Sequence, residues 1–119
     1  MDDYLSKGVY ENELTLYFDI QEEKPFGIGE KMNEINENAY MNGYNWEAFL
    51  NYYLSLRAPD VLEGMITDPE AGLYAAYYEK NAENEVRMNK FIEIIRYLVE
   101  NEDELYKFIR AEGENIDWI

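Results

Sequence analysis

From Leu14 onward the chain alternates, with Leu14, Leu16, Phe18 and Ile20 apolar and Thr15, Tyr17 and Asp19 between them. A period of two predicts a strand with one buried face, and it turns Tyr17 away from the apolar row, beside Asp19. Lys24-Pro25 ends the alternation. Ile28, Met32, Ile35 and Ala39 then recur at spacings of four, three and four, which places them on one side of a helix. Asn42-Gly43 interrupts that period and predicts a helix stop, because its flanks lack the alternation of a hairpin. Asn45 is placed to cap a second helix carrying the stripe Trp46, Phe49, Leu50, Tyr53 and Leu54, with Glu47 near the positive end of the helix dipole. Trp46 falls on that stripe and reads as core.

Ala58-Pro59 closes the second helix, Pro59 suits the start of another short turn, and Gly64 is placed to end it. Met65 to Thr67 and Leu73 to Tyr78 are short β-prone runs joined by Asp68-Pro69-Glu70-Ala71-Gly72. Proline and glycine there predict a tight turn followed by a left-handed residue, and so a hairpin. After a candidate cap at Asn84, Met88, Phe91, Ile92, Ile95, Leu98 and Val99 keep a three-four spacing. Asn101-Glu102-Asp103-Glu104 resembles a capping box for a last helix with Leu105, Phe108 and Ile109, and Gly113 follows its end. The predicted class is α+β: a small antiparallel sheet of about three strands, one N-terminal strand plus a central hairpin, covered by about four helices. The order is β-α-α-β-β-α-α within one domain spanning residues 1–119, with no internal repeat or linker.

Composition supports folding: 47% hydrophobic and 16% aromatic residues in 119 exceed what a disordered acidic tail carries. Charge changes the picture more, since 26 acidic residues against 10 basic give −16. The excess is uneven, with 16 acidic and 4 basic side chains up to residue 79, and 10 and 6 after it. Such a field repels phosphates and anionic lipid and speeds encounter with basic partners, so direct nucleic-acid or membrane binding is not expected. The start, MDDYLSKG, has neither a basic region nor an apolar stretch of a leader, and a soluble cytoplasmic protein is expected.

Candidate chemistry is sparse. The chain has no histidine and no cysteine, which removes the usual neutral-pH base, thiolate nucleophiles and the commonest transition-metal ligands. Ser6, Ser55, Thr15 and Thr67 occupy no nucleophile-elbow pattern. Asp68 and Glu70 flank Pro69 and could form a carboxylate pair of the kind that hydrolyses glycosides, with roughly 5 to 9 Å between the groups. Their place in a turn argues instead for bonding to backbone amides. No calcium-loop spacing occurs, and Gly27-Ile28-Gly29 is a lone G-x-G without the third glycine of a phosphate cradle. No catalytic residue, cofactor or metal site is therefore expected. Twelve tyrosines and two tryptophans amid carboxylates suit a surface that grips a basic protein, acids steering and rings supplying contact.

Asn42-Gly43-Tyr44-Asn45-Trp46-Glu47 followed by Asp68-Pro69-Glu70-Ala71-Gly72-Leu73-Tyr74 resembles bacterial immunity protein 51, a family of polymorphic toxin systems, over nearly the whole chain. The family pattern is G-Y-[DN]-W, then D-x-E-A and an aromatic, usually phenylalanine where this chain has Tyr74. The resemblance implies a protein that binds and neutralises a cognate toxin in the cytoplasm, with no enzyme activity. It also implies that the matching positions Gly43, Tyr44, Trp46, Asp68, Glu70, Ala71 and Tyr74 are scaffold. Should the toxin be a basic nuclease, the candidate partner-binding residues are Tyr17, Asp19, Glu22, Glu23, Glu34 and Glu37. The competing readings are a general acidic interaction or nucleic-acid-mimic module and, more distantly, a carboxylate-dependent enzyme, which would need a deep pocket holding acids of raised pKa.

Overall fold

The computed structural model describes residues 3–119. Its strands are β1 (Leu5–Tyr10), β2 (Glu13–Phe18), β3 (Ile66–Thr67) and β4 (Tyr74–Glu79), in one antiparallel sheet of order β1-β2-β4-β3. The helices are α1 (Glu23–Ile35), α2 (Gly43–Arg57), α3 (Pro59–Leu62), α4 (Ala82–Glu100) and α5 (Glu102–Glu112), followed by a 3-10 turn at Gly113–Asn115. The α+β class, the strand after Leu14 and the central hairpin are as expected. A further strand, β1, and the short α3 lengthen the order.

The alternation of β2 works as the sequence implies: Leu14, Leu16 and Phe18 are fully buried and Tyr17 points the other way, partly exposed. Residues directly opposite in an antiparallel pair share a face. Leu5, Lys7 and Val9 lie across from Phe18, Leu16 and Leu14, so they line the inward face of β1. Lys7 uses that position to reach α4, donating to Asn89 Oδ1 at 2.7 Å and pairing with Glu85 at 3.8 Å. An inward charge on an edge strand also deters pairing with another chain. The β1–β2 turn is Glu11-Asn12, where Glu11 takes a φ of 53°, a left-handed value that non-glycine residues seldom adopt.

The sheet side chains that meet the helices belong to the inward rows. Phe18 meets Trp46 of α2, Tyr74 meets Phe91 of α4, Tyr78 donates to Val61 O of α3, and Thr67 donates to Glu47 of α2. The second layer forms on α2, where Phe49 packs edge-on against Phe108 of α5 at 5.8 Å. The buried cluster takes in this inward face and every α-helix, while Thr15, Tyr17, Ala75 and Tyr77 lie outside it.

Several helix ends differ from the sequence reading for identifiable reasons. α1 starts at Glu23, before Pro25 rather than after it, because proline in a first turn withholds no N–H that the helix needs. It ends at Ile35, so the buried Ala39 lies past the helix. Asn42-Gly43 begins α2 instead of stopping α1: Asn42 is the cap, accepting from Asn45 N at 2.9 Å, and Asn45 sits inside the helix. The same shift of three occurs at α4, where Asn81 accepts from Asn84 N at 2.8 Å. In both cases the inner asparagine reaches back, Asn45 Nδ2 to Tyr40 O and Asn84 Nδ2 to Glu79 O, each at 2.8 Å. N-x-x-N is thus used twice: the first asparagine satisfies an orphan N–H of the helix start, and the second ties the helix to the carbonyl two residues before the cap. The box expected at Asn101 does not form, because its side chain donates to Tyr97 O at 2.9 Å. Gly64 does end α3, with a φ of 72°.

Candidate functional site

The start of α2 and the hairpin turn between β3 and β4 are one structural unit. Gly43 donates its N–H to Ala71 O at 3.1 Å. A Cβ on Gly43 would lie 1.8 Å from Glu70 O and 2.4 Å from Leu73 O, so only glycine permits this approach. The turn itself is closed by Glu70 N to Leu73 O at 2.7 Å and Leu73 N to Glu70 O at 3.4 Å, with Asp68 N bonded to Ala75 O at 2.9 Å. Glu47, one turn into α2, accepts from Thr67 on the other side of the junction. Two segments some twenty residues apart, N-G-Y-N-W-E and D-P-E-A-G-L-Y, therefore meet in space.

The carboxylates of Asp68 and Glu70 are exposed at this turn rather than enclosed together. Asp68 accepts from Tyr77 Oη over a long 3.3 Å, not from a backbone amide as the turn reading expects. Gly72 does not take the left-handed conformation expected there; among the described residues Gly64 is the glycine with positive φ. A Cβ on Gly72 would meet only the amide end of the flexible Gln21 side chain, at 2.7 Å.

The six candidate contact residues are spread over three places. Tyr17 lies on the outward face of β2, and Asp19 just beyond that strand accepts from Gln21 N at 3.0 Å. Glu22 and Glu23 flank the start of α1 and line an open groove of about 880 Å³ between α1 and α5. Lys24 and Lys31 line the same groove, and Lys31 Nζ stands 5.7 Å from the centre of the Tyr106 ring, so the groove is of mixed sign. Burial, then Glu102 and Asp103, push the Tyr106 phenol up to about 12. Glu34 and Glu37 lie exposed at the far end of α1, about 18 Å along a 13-residue helix. Glu34 lines a second groove beside the exposed rings of Phe26 and Tyr40. Among the described residues no cluster of three or more acids is arranged to hold a metal ion.

Two buried polar groups have surroundings that the sequence reading does not assign them. Asn45 is 1% exposed and, besides Tyr40 O, engages Ile119 N at 2.7 Å through Oδ1, tying the last residue of the chain to the start of α2. Tyr74, fully buried against Phe91, has a hydroxyl with no hydrogen-bond partner among the protein groups described. Burial first, then the Glu47 charge, hold that phenol far above its ordinary pKa. An unpaired buried hydroxyl costs about 1–3 kcal/mol, and a phenylalanine would keep the ring without it. Tyr74→Phe is expected to leave the fold intact and raise its stability by about 1 kcal/mol in urea unfolding. A loss of more than about 1 kcal/mol would mean that ordered water links the hydroxyl to Glu47.

No curated protein and no solved structure matches this chain. The family model of Immunity protein 51 matches residues 8–114, which takes in both joined segments and all four strands but the first residues of β1, and the chain belongs to that family.

Proposed function

We propose that this chain binds a cognate bacterial toxin in the cytoplasm and neutralises it by occlusion rather than by an enzymatic reaction, using an acidic surface that displays tyrosines. The observation that carries this reading is the distribution of charge on a chain of the immunity family. The net charge is −16, and Asp19, Glu22, Glu23, Glu34 and Glu37 form no ion pair among the described residues. An excess of uncompensated carboxylate favours a toxin domain with a basic surface, as a nuclease would have, because opposite fields steer the encounter. Tyr17 and Asp19 supply contact in this reading, while Glu22, Glu23, Glu34 and Glu37 at the two ends of α1 contribute mainly to attraction at a distance. Gly43, Trp46, Ala71 and Tyr74 hold the scaffold.

Co-expression with the toxin domain encoded beside this chain tests the reading. Growth should be rescued, and a complex isolated at low salt should weaken as salt is raised, because the Debye length shortens to about 8 Å at physiological ionic strength. Absence of both rescue and complex would exclude toxin neutralisation by binding.

A further inference from the structure

With all five helices on the inward side, the outward face of the sheet has no covering layer among the described residues. Register assigns its rows. Tyr10, Glu13 and Glu79 form one, Gly8, Thr15, Tyr77 and Ile66 the next, and Ser6, Tyr17 and Ala75 the third. Tyr10, Tyr17 and Ile66 are 70%, 37% and 67% exposed, large values for residues with apolar bodies on one sheet face. Between them Thr15 and Ala75 are nearly inaccessible, so the aromatic side chains form a closed surface over the backbone. Tyr77 belongs to it: burial first, then Asp68, Tyr17 and Glu13, hold its phenol above the ordinary value.

Charge on this face has one sign. No outward strand position carries a lysine or arginine. Glu13 and Glu79 stand directly opposite each other, an arrangement that costs free energy in an isolated sheet. Asp19 and Asp68 lie at its other end, and none of these four acids has an ion-pair partner among the described residues. The ion pairs lie on the helix side instead, as in Lys24 with Glu100 at 2.8 Å and Lys90 with Asp60 at 3.0 Å.

We infer that this uncovered sheet face is the docking surface for the toxin, and that it receives a protein surface rich in lysine and arginine, the tyrosines lying beneath the cations and Glu13, Glu79, Asp19 and Asp68 pairing with them. The inference rests on the toxin-binding reading above and names its interface. A cation between Glu13 and Glu79 removes their mutual repulsion, and arginine and lysine stack favourably on tyrosine rings. A second copy of the chain fits badly, since it would set the same acids against one another. Three strands of six residues and one of two, at about 3.3 Å per residue and about 4.8 Å apart, offer about 300 Å². A stable complex takes about 800 Å² from each partner, so the flanking Glu11-Asn12 and Asp68-Pro69 segments must join the contact.

The test is a titration of the intact chain against the purified toxin domain encoded beside it, with Glu79→Lys, Tyr10→Ala and Glu34→Lys compared. Glu79→Lys turns the repulsive pair into an attractive one, so its Tm should stay level or rise while Kd for the toxin rises about tenfold or more. Tyr10→Ala, at an exposed ring, should also weaken binding about tenfold with the fold intact. Glu34→Lys makes the same change of charge on α1 and should cost less than about threefold, mostly in association rate. Tight binding by the first two variants with loss in the third would move the interface to α1, overturning this inference while toxin neutralisation stood. A concentration-dependent dimer of the free chain, abolished by Tyr10→Ala, would assign the face to a second copy and overturn it too. Failure of the unaltered chain to bind would instead remove the toxin-binding reading itself.

Discussion

Gly43→Ala should destabilise the protein by about 3 kcal/mol or more, and lower its Tm by about 10 °C or more. Helix propensity alone predicts the opposite sign, since alanine is better than glycine in a helix by about 1 kcal/mol. The difference comes from what the new methyl meets. Glu70 O at 1.8 Å and Leu73 O at 2.4 Å are backbone atoms of a doubly bonded turn, so neither can rotate aside. The start of α2 must retreat by about 1 Å or more to restore ordinary contact, and the Gly43–Ala71 hydrogen bond and the Thr67–Glu47 bond stretch with it. Gly27→Ala provides the internal control. Gly27 lies within α1 and a Cβ there meets nothing within 4 Å, so that variant should gain about 0.5–1 kcal/mol. Urea unfolding of the two variants beside the parent checks both signs, and a Gly43→Ala protein as stable as the parent would show that the helix start and the turn do not touch.

Local signals in the sequence were sufficient for β2, α2, α4 and α5, because Leu14-Leu16-Phe18 and the three-four stripes are dense and uninterrupted. β1 was hidden by its own function: Lys7 occupies an inward position to reach Asn89 and Glu85, and Gly8 follows, so LSKGVY has no readable period. The caps at Asn42 and Asn81 were misplaced by three residues because a second asparagine with its own role stands at Asn45 and Asn84, and composition cannot tell cap from N3. Of the candidate contact residues, Tyr17 was legible from its own strand's alternation. Tyr10, Tyr77 and Ile66 were not, since their common face exists only through pairings between strands as many as sixty-odd residues apart. Asn45 needed knowledge of where Ile119 returns. Glu22 and Glu23 stand at one end of α1 and Glu34 and Glu37 at the other, and a helix of 13 residues separates the pairs by about 18 Å.

Trp46→Ala should be comparably damaging, at about 3–5 kcal/mol, and for a reason that tests how the layers are joined. The indole is 1% exposed and lies edge-on between Phe18 of the sheet, at 5.0 Å, and Phe49 on its own helix, at 5.8 Å. Phe49 in turn meets Phe108 of α5 at 5.8 Å. A continuous column of rings thus runs from β2 through α2 to α5, each edge-to-face pair adding about 0.5–1.5 kcal/mol to the burial of its area. Removing the second ring leaves a cavity at the sheet–helix boundary, whereas Trp46→Phe keeps a ring there and should cost about 1–3 kcal/mol. The variants also leave Trp118 as the single tryptophan, half-buried and bonded through Nε1 to Gly113 O at 2.9 Å, in the segment that follows α5. Its fluorescence should then lose its folded signal at the same urea concentration as the far-ultraviolet circular dichroism of the helices, at a midpoint well below the parent's. Two separated transitions would mean that α5 and the C-terminal turn are held by α1 and α4 rather than through Trp46, and that the aromatic column does not carry the cooperativity of the fold.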